Sequence, residues 1–255
     1  MNVGMLAIKD PPMRQALIAI ALSATLSALG ACAPAASSPA AGPLEGRRVA
    51  LVELFTSQGC SSCPAADAVM QRVAADPGAV VILRPVTYWD QQGWRDTLAR
   101  PENTAKQFAY ARALGVQPYT PQAVIDGRTA LVGSQEANVR ALIRAARGHA
   151  ETAALEVTRS QGQAHIVVTG ANGAAVSLVG LAPSRQVAIG NGENSGRTIT
   201  YVNVVRVERS LGAAQGNRAI FDAALDAGPT RDATHWAVVV QDGEAGLVRA
   251  AAFVP

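Results

Sequence analysis

An apolar run followed closely by two cysteines constrains the fold of this chain more than any other feature. Residues 49–55 have the length of a strand and are almost entirely apolar, which is typical of a strand buried on both faces, as in a parallel sheet. A four-residue connection leads to Cys60 and Cys63, and apolar residues at helical spacing follow over about residues 62–75. The sequence therefore predicts a strand, a cysteine loop and a helix in direct succession.

Strands and helices continue to alternate up to about residue 150. Pro101 suits the first turn of a helix and Gly115 suits a helix C-cap, while the Asp126-Gly127 pair is typical of a hairpin turn. The further predicted elements are strand 79–83, helix 101–114, hairpin strands 122–125 and 129–132, and helix 135–147. This order predicts an α/β domain over residues 47–150.

The second half of the chain has a different pattern. Short stretches of alternating apolar and polar residues are separated by Gly, Asn and Asp turns, as in all-β proteins. The predicted strands are 154–158, 164–169, 175–181, 186–189, 198–207, 235–241 and 246–253. We expect a separate, sandwich-like all-β module over residues 151–255.

Composition supports a folded chain and argues against one class of partner. Hydrophobic residues make up 49% of the 255 residues, which is enough for a packed core. The formal net charge is +3, from 22 Lys and Arg against 19 Asp and Glu, and no basic run accompanies it. We therefore expect no nucleic-acid binding.

The N-terminus has the features of an export signal. Lys9 and Arg14 precede a short apolar stretch, and this pattern predicts a signal peptide over residues 1–31. Residues 29–32, Leu-Gly-Ala-Cys, are similar to a bacterial lipobox, so Cys32 is the expected lipidation site, and residues 32–46 are a flexible tether. We expect a periplasmic or envelope protein that is anchored to the membrane through Cys32; the alternative is an ordinary cleaved signal.

The two remaining cysteines form a C-x-x-C motif at the predicted start of a helix. Helix N-terminal N–H groups stabilise negative charge, so a thiol there ionises readily. We expect Cys60 to be exposed and nucleophilic, and Cys63 to resolve a mixed disulfide. Ser61 and Ser62 are expected to tune the pair through their hydroxyl groups. These properties predict thiol–disulfide exchange with envelope proteins, without a metal or cofactor.

Other roles for the cysteine pair remain open. A structural disulfide is one, although so short a loop gains little from cross-linking. A zinc site lacks further clustered ligands, whereas two thiolates suffice for a Cu(I)-binding metallochaperone. A further alternative is that the chain is a non-catalytic adaptor that presents a binding surface.

Several other side chains are candidates for the site. Glu53, on the strand before the cysteines, is a candidate proton relay for Cys63. Trp89 and Trp94 are expected to pack the segment 85–100 onto the domain, and the alternative is that they face a bound partner beside the thiols. The polar, glycine-containing loop 191–197 is a candidate for reaching the cysteines through Glu193 or Asn194.

The chain resembles the DUF1223 family of exported bacterial proteins with a thioredoxin-like fold. The matching stretches are VELFTSQGCSSCPAAD (52–67), YWD (88–90), GWRD (93–96), YTPQ (119–122), GEN (192–194), GR (196–197) and NVVR (203–206). The resemblance implies a thioredoxin-like α/β domain and a cis Thr120–Pro121 bond that shapes the docking groove beside the cysteines. Pro85 and Thr87 stand where the family commonly has His and Asp, so no role of those side chains transfers to this chain.

Overall fold

The computed structural model describes residues 48–149, 153–226, 228 and 230–255. The predicted signal peptide and the tether with Cys32 lie outside the described residues. Within the described part of the chain, no helix has the length and apolar character needed to cross a membrane.

Three helices and eleven strands form within these residues. The helices are α1 (Cys63–Val73), α2 (Pro101–Leu114) and α3 (Glu136–Arg147). The strands are β1 (Ala50–Thr56), β2 (Ala79–Pro85), β3 (Gln122–Ile125), β4 (Thr129–Val132), β5 (Ala154–Ser160), β6 (Gln163–Thr169), β7 (Ala175–Ala188), β8 (Thr198–Ala213), β9 (Arg218–Ala224), β10 (His235–Gln241) and β11 (Val248–Phe253). The local signals act as expected, since Pro101 begins α2 and Gly115 caps it with a φ of 65°.

The strands form one large mixed sheet and one small antiparallel sheet. The large sheet has the order β11-β10-β7-β8-β2-β1-β3-β4, and the small sheet has the order β5-β6-β9. The predicted fold class, an α/β thioredoxin-like domain followed by an all-β module, is therefore wrong. β2 is buried along its whole length, and an unpaired edge there would expose apolar residues and free backbone groups. β8 covers this edge, so strands from both halves of the chain share one sheet.

The pairing of β2 with β8 joins the two halves. It is parallel and brings Leu83 opposite Val204. The neighbouring Asn203 has a left-handed φ of 46°, and its Nδ2 donates a hydrogen bond of 3.0 Å to the Val81 carbonyl of β2. Asparagine tolerates this backbone conformation better than most residues, and its amide adds a side-chain hydrogen bond across this join.

The two faces of β1 and β2 pack against different parts of the protein. Val52, Leu54 and Val81 belong to the core that includes α1 and α3. Leu51 and Ile82, which point to the opposite face, pack with residues of β7, β10 and β11. Since β11 lies at the far end of the strand order, the sheet must curl to bring it against β1. The site described below lies at the carboxyl end of β1.

Replacing Asn203 tests the join between the halves. Asn203→Gly removes the amide but keeps the backbone freedom, and we expect a loss of about 1–2 kcal/mol in the free energy of unfolding. Asn203→Ala adds the cost of a left-handed backbone, roughly 1–2 kcal/mol more. Urea unfolding measures both variants, and wild-type stability in both would refute this role of Asn203.

Candidate functional site

The cysteines lie where β1 passes into α1. We call residues 57–62 the cysteine loop; it contains Cys60, and Cys63 is the first residue of α1. The two cysteines form a disulfide with their Cα atoms 5.4 Å apart. The Cys63 N–H donates to the Cys60 carbonyl at 3.1 Å, and Pro64 occupies the first turn of α1, where a missing N–H costs nothing.

The sulfur atoms are covered, while the tip of the loop is not. Cys60 is 1% exposed and Cys63 is 0% exposed, so the expectation of an exposed Cys60 is wrong for this disulfide-bonded state. Ser61 and Ser62 are exposed, and the Ser62 Oγ lies 3.3 Å from the Cys60 Sγ. A reaction at Cys60 therefore requires its cover to move.

A loop from the second half of the chain contributes to this cover. We call residues 189–197 the cap loop; it connects β7 to β8. The buried Asn194 donates from Nδ2 to the Gln58 carbonyl at 2.9 Å and to the Cys60 carbonyl at 2.8 Å. The Glu193 carboxylate accepts a hydrogen bond of 2.9 Å from the Ser61 N–H. Both side chains, which were candidates from the sequence, thus reach the cysteine loop.

Trp94 holds the cap loop and the cysteine loop together. Its indole N–H donates to the Gln58 Oε1 at 2.8 Å, and its side chain packs against Gly190 and Gly192. A Cβ at position 192 would lie 3.1 Å from the Trp94 Cβ, and Gly192 also has a φ of 78°. The glycine at 192 is therefore required both by its backbone conformation and by the close approach of Trp94.

The predicted supporting residues Pro121, Thr120 and Trp89 gather at the same end of the sheet. The Thr120–Pro121 bond is cis, as the family resemblance implied. Gln122, the next residue, pairs with Phe55 near the end of β1. The Trp89 indole N–H donates to the Thr120 Oγ1 at 2.8 Å, and a Cβ at Gly59 would lie 3.2 Å from the Trp89 Cβ. Trp89 therefore lies between the cysteine loop and the cis proline.

Glu53 lies away from this site. Its carboxylate binds the Arg84 Nε at 2.5 Å and also accepts a hydrogen bond from the Tyr110 hydroxyl. Arg84 in turn contacts Glu208 at 2.8 Å. Since Glu53 alternates with Leu54, it points to the sheet face opposite α1. It is a partner in a buried ion-pair network, and none of its described contacts supports the predicted relay to Cys63.

The positions that differ from the family pattern also have structural contacts. Pro85 is the last residue of β2, and its carbonyl accepts a hydrogen bond from the Asn103 Nδ2 at 3.0 Å. The backbone N–H of Thr87 donates to the Thr104 Oγ1 at 3.0 Å. Both residues thus join the end of β2 to α2. Among the residues searched, all within the described part of the chain, no three His, Cys, Asp or Glu side chains are grouped to hold a metal ion.

Two buried acids near the cysteines were missed from the sequence. Asp96 accepts the Gln58 N–H of the cysteine loop at 2.8 Å, and it also caps the N–H groups of Leu98 and Ala99. Burial raises the pKa of Asp96 to about 6, although these backbone hydrogen bonds act to lower it. Asp67 lies on the buried face of α1 and accepts a hydrogen bond of 2.8 Å from the Thr56 Oγ1. One signal for Asp67 was present: it is an acidic residue within the apolar stripe of a helix.

The comparisons with known proteins agree with the motif pattern. The model of a family described as a protein of unknown function, DUF1223, matches residues 51–241, so the chain belongs to the DUF1223 family. No curated protein matches.

Two solved structures are similar to this chain. The crystal structure of the protein AGR_C_4864 from Agrobacterium tumefaciens has 27% identity and a TM-score of 0.71, and the match covers 81% of this chain and 94% of that one. HBP35 of Porphyromonas gingivalis has 14% identity and a TM-score of 0.59, over 81% of this chain and 74% of that one. The second similarity shows the fold alone.

The raised pKa of Asp96 predicts a pH dependence of stability. The folded state holds a proton up to about pH 6, whereas an unfolded aspartic acid releases it near its ordinary pKa of 3.8. The contribution of Asp96 to stability is therefore greatest below pH 3.8, and it falls as the pH rises from there to about 6. The loss is on the order of 2–3 kcal/mol.

Urea unfolding at several pH values tests this linkage. Asp96→Asn cannot release a proton, so its stability should fall less than that of the wild type over the same pH range. The readout is the slope against pH and not the absolute stability, because the asparagine amide also disturbs the hydrogen bond to the Gln58 N–H. Equal slopes of stability against pH in the two proteins would refute the raised pKa of Asp96.

Proposed function

We propose that this chain is an exported thiol–disulfide oxidoreductase that acts on proteins of the cell envelope through Cys60 and Cys63. The observation that carries this proposal is the position of the pair: a disulfide at the first turn of α1, in a loop whose cover is held by side-chain hydrogen bonds. A structural disulfide would add little here, because it closes a loop of only a few residues. The position of the pair at the start of a helix instead favours reactive thiols.

The start of α1 favours a thiolate at Cys60. Free N–H groups and the helix dipole at this end stabilise negative charge and lower the pKa of a nearby thiol. In the covered state, the Glu193 carboxylate accepts a hydrogen bond from the Ser61 N–H. When the Glu193 side chain moves away, the Ser61 N–H becomes available to the Cys60 sulfur. The cap loop therefore controls both the access of a partner to Cys60 and the stability of a thiolate at Cys60.

Exchange proceeds in two steps once the cap loop has moved. A partner thiolate attacks the Cys60 Sγ, the bond between Cys60 and Cys63 breaks, and Cys63 leaves with the electron pair and takes up a proton. A second partner thiolate then attacks the partner sulfur of the mixed disulfide, and the Cys60 thiolate leaves. The partner dithiol is oxidised to a disulfide and the Cys60–Cys63 pair is reduced; the reverse sequence oxidises the pair.

The proposed location follows from the N-terminal sequence. Residues 1–31 direct export, acylation of Cys32 anchors the chain, and residues 32–46 separate the folded part from the bilayer. The partners are then envelope proteins with thiols or disulfides, which occur in this oxidising environment. The resemblance of residues 29–32 to a lipobox supports this anchor.

Serine variants of the two cysteines test the activity. Wild-type protein should catalyse insulin reduction or the oxidation of a dithiol peptide, and Cys60→Ser should lose both because no nucleophile remains. Cys63→Ser should accumulate mixed disulfides, since nothing resolves them. Mass spectrometry of the trapped partners should identify exported proteins.

The control for folding is the thermal unfolding of each variant. A folded wild-type protein that is inert in both assays would refute the function. Trapped partners drawn only from the cytosol would refute the proposed location.

A cap-loop variant tests the role of the cover. Asn194→Ala removes two hydrogen bonds to the cysteine loop, each worth roughly 1 kcal/mol. We therefore expect dithiothreitol to reduce the disulfide up to about thirtyfold faster. The matched control is Ser195→Ala, because the Ser195 hydroxyl donates to the Gly190 carbonyl within the same loop and has no hydrogen bond to the cysteine loop among the residues that the structure describes. Reduction of Asn194→Ala at the wild-type rate would show that this loop is not the barrier.

A further inference from the structure

A cavity of about 470 Å³ lies on the face of the large sheet opposite α1. Residues of α2 and of strands β7, β8 and β10 line it, so both halves of the chain contribute. Val205 in its lining packs with Leu51 and Ile82, which point to this face. None of the described lining residues belongs to the cysteine loop or the cap loop. Cavities that bind small molecules have volumes of about 300–1,000 Å³, so this one has the size of a ligand site.

Lys106 of α2 presents an ammonium group to this cavity. Its Nζ donates to the Gln241 Oε1 at 2.8 Å and to the Glu244 carbonyl at 2.6 Å. An ammonium group has three N–H donors, and the third has no hydrogen-bond partner among the described residues. Lys106 can therefore donate one further hydrogen bond.

Glu208 of β8 presents a carboxylate to the same cavity. Its Oε2 accepts a hydrogen bond of 2.8 Å from the Arg84 Nη1, while its Oε1 has no hydrogen-bond partner in the part of the chain that the structure describes. Although burial raises the pKa of Glu208, the positive charges of Arg84 and Lys106 hold it below its ordinary value. Glu208 and Lys106 thus interact electrostatically, yet no ion pair joins them within the described residues.

A continuous chain of hydrogen bonds connects these two groups through the interior of the protein. It runs from Lys106 through Gln241, Tyr110, Glu53 and Arg84 to Glu208. The side chains at both ends are therefore held in place before a ligand binds, which lowers the entropic cost of binding. Within the described residues, the chain ends at two unlike charges that line one cavity.

The two ends are complementary to a ligand that carries both charges. Lys106 can donate to a carboxylate and Glu208 can accept from an ammonium, and such charge-assisted hydrogen bonds are stronger than neutral ones. A ligand with a single charge would cover one of these groups without pairing it, which costs free energy. The charges of Lys106, Arg84, Glu53 and Glu208 sum to zero, so a ligand without net charge keeps this balance.

The rest of the lining indicates the body of the ligand. Val205 is 2% exposed, and together with Val207 it gives the cavity an aliphatic surface. The other charged residues are Arg100 and Glu102, which pair with each other at 3.4 Å, and the exposed Glu244. No aromatic ring belongs to the described lining. We therefore expect an aliphatic body.

We propose that this cavity binds a small aliphatic aminocarboxylate, whose carboxylate accepts a hydrogen bond from Lys106 and whose ammonium donates to the Glu208 Oε1. Bound in this way, the ligand completes a ring of hydrogen bonds from Lys106 to Glu208. The class includes free amino acids such as leucine and dipeptides such as leucyl-leucine. The cavity is separate from the cysteines, so this proposal does not rest on thiol–disulfide exchange.

Isothermal titration calorimetry of the full chain tests the ligand class. Leucine or leucyl-leucine should bind with one molecule per chain, and the tighter of the two identifies the source of the ligand. The amide of this tighter ligand lacks the carboxylate, and its N-acetyl derivative lacks the ammonium. Each derivative should bind about tenfold more weakly or worse. No binding of leucine and leucyl-leucine at millimolar concentration, or equal binding of the tighter ligand and both derivatives, would overturn the proposal.

Two variants test which side chain binds which charge. Lys106→Met should weaken the tighter ligand about tenfold but not its amide, which has no carboxylate to lose. Glu208→Gln should weaken the tighter ligand but not its N-acetyl derivative, whereas a general disturbance of the fold would weaken both. The matched control is Glu136→Gln, because Glu136 also pairs with an arginine, Arg72, but does not line the cavity.

The control variant should bind the ligand as the wild type does. If Glu208→Gln does not fold, the two derivatives on the wild type and the Lys106→Met variant still decide the question. Wild-type affinity of Lys106→Met for the tighter ligand, or an equal loss for this ligand and its amide, would overturn the assignment.

Discussion

The parallel pairing of β2 with β8 is the contact on which the candidate site depends. It is short, and the Asn203 amide supplements it across the join. Because β7 and β8 are held there, the loop between them extends over the end of β1 and places Asn194 on the cysteine loop. Without this pairing the first half of the chain would have an open apolar edge, and the disulfide would lack this part of its cover.

The protein uses buried charge in two opposite ways on the two faces of its sheet. On one face, Glu53, Arg84 and Glu208 neutralise one another, and a buried ion pair of this kind is strongly destabilising to break. On the other face, Asp67 and Asp96 have no basic partner among their described hydrogen bonds, so burial raises the pKa of each. The first arrangement stabilises charge, whereas the second raises the pKa of two carboxyl groups near the cysteine loop.

Much of the local structure could be predicted from the sequence. The hairpin strands β3 and β4 and helix α2 have the predicted bounds, because Pro101, Gly115 and the turn at Asp126 are short-range signals. Strand β9 was missed because its alternation is short and half-exposed. The cysteine loop was also predicted, and Glu193 and Asn194 were candidates for approaching it. The exposure of Cys60 and the partners of Glu53 were not, because both depend on residues more than 30 positions away.

The sequence by itself determined the succession of strand, cysteine loop and helix, since hydrophobic spacing and turn residues act over a few positions. It also carried the family motifs. Only the tertiary structure decided that both halves share one sheet, that the cap loop contributes to the cover of the disulfide, and that Asp67 is buried rather than exposed to solvent. These outcomes depend on which apolar edges and faces meet in space, and the free energy of that burial is set by the whole chain rather than by any one segment.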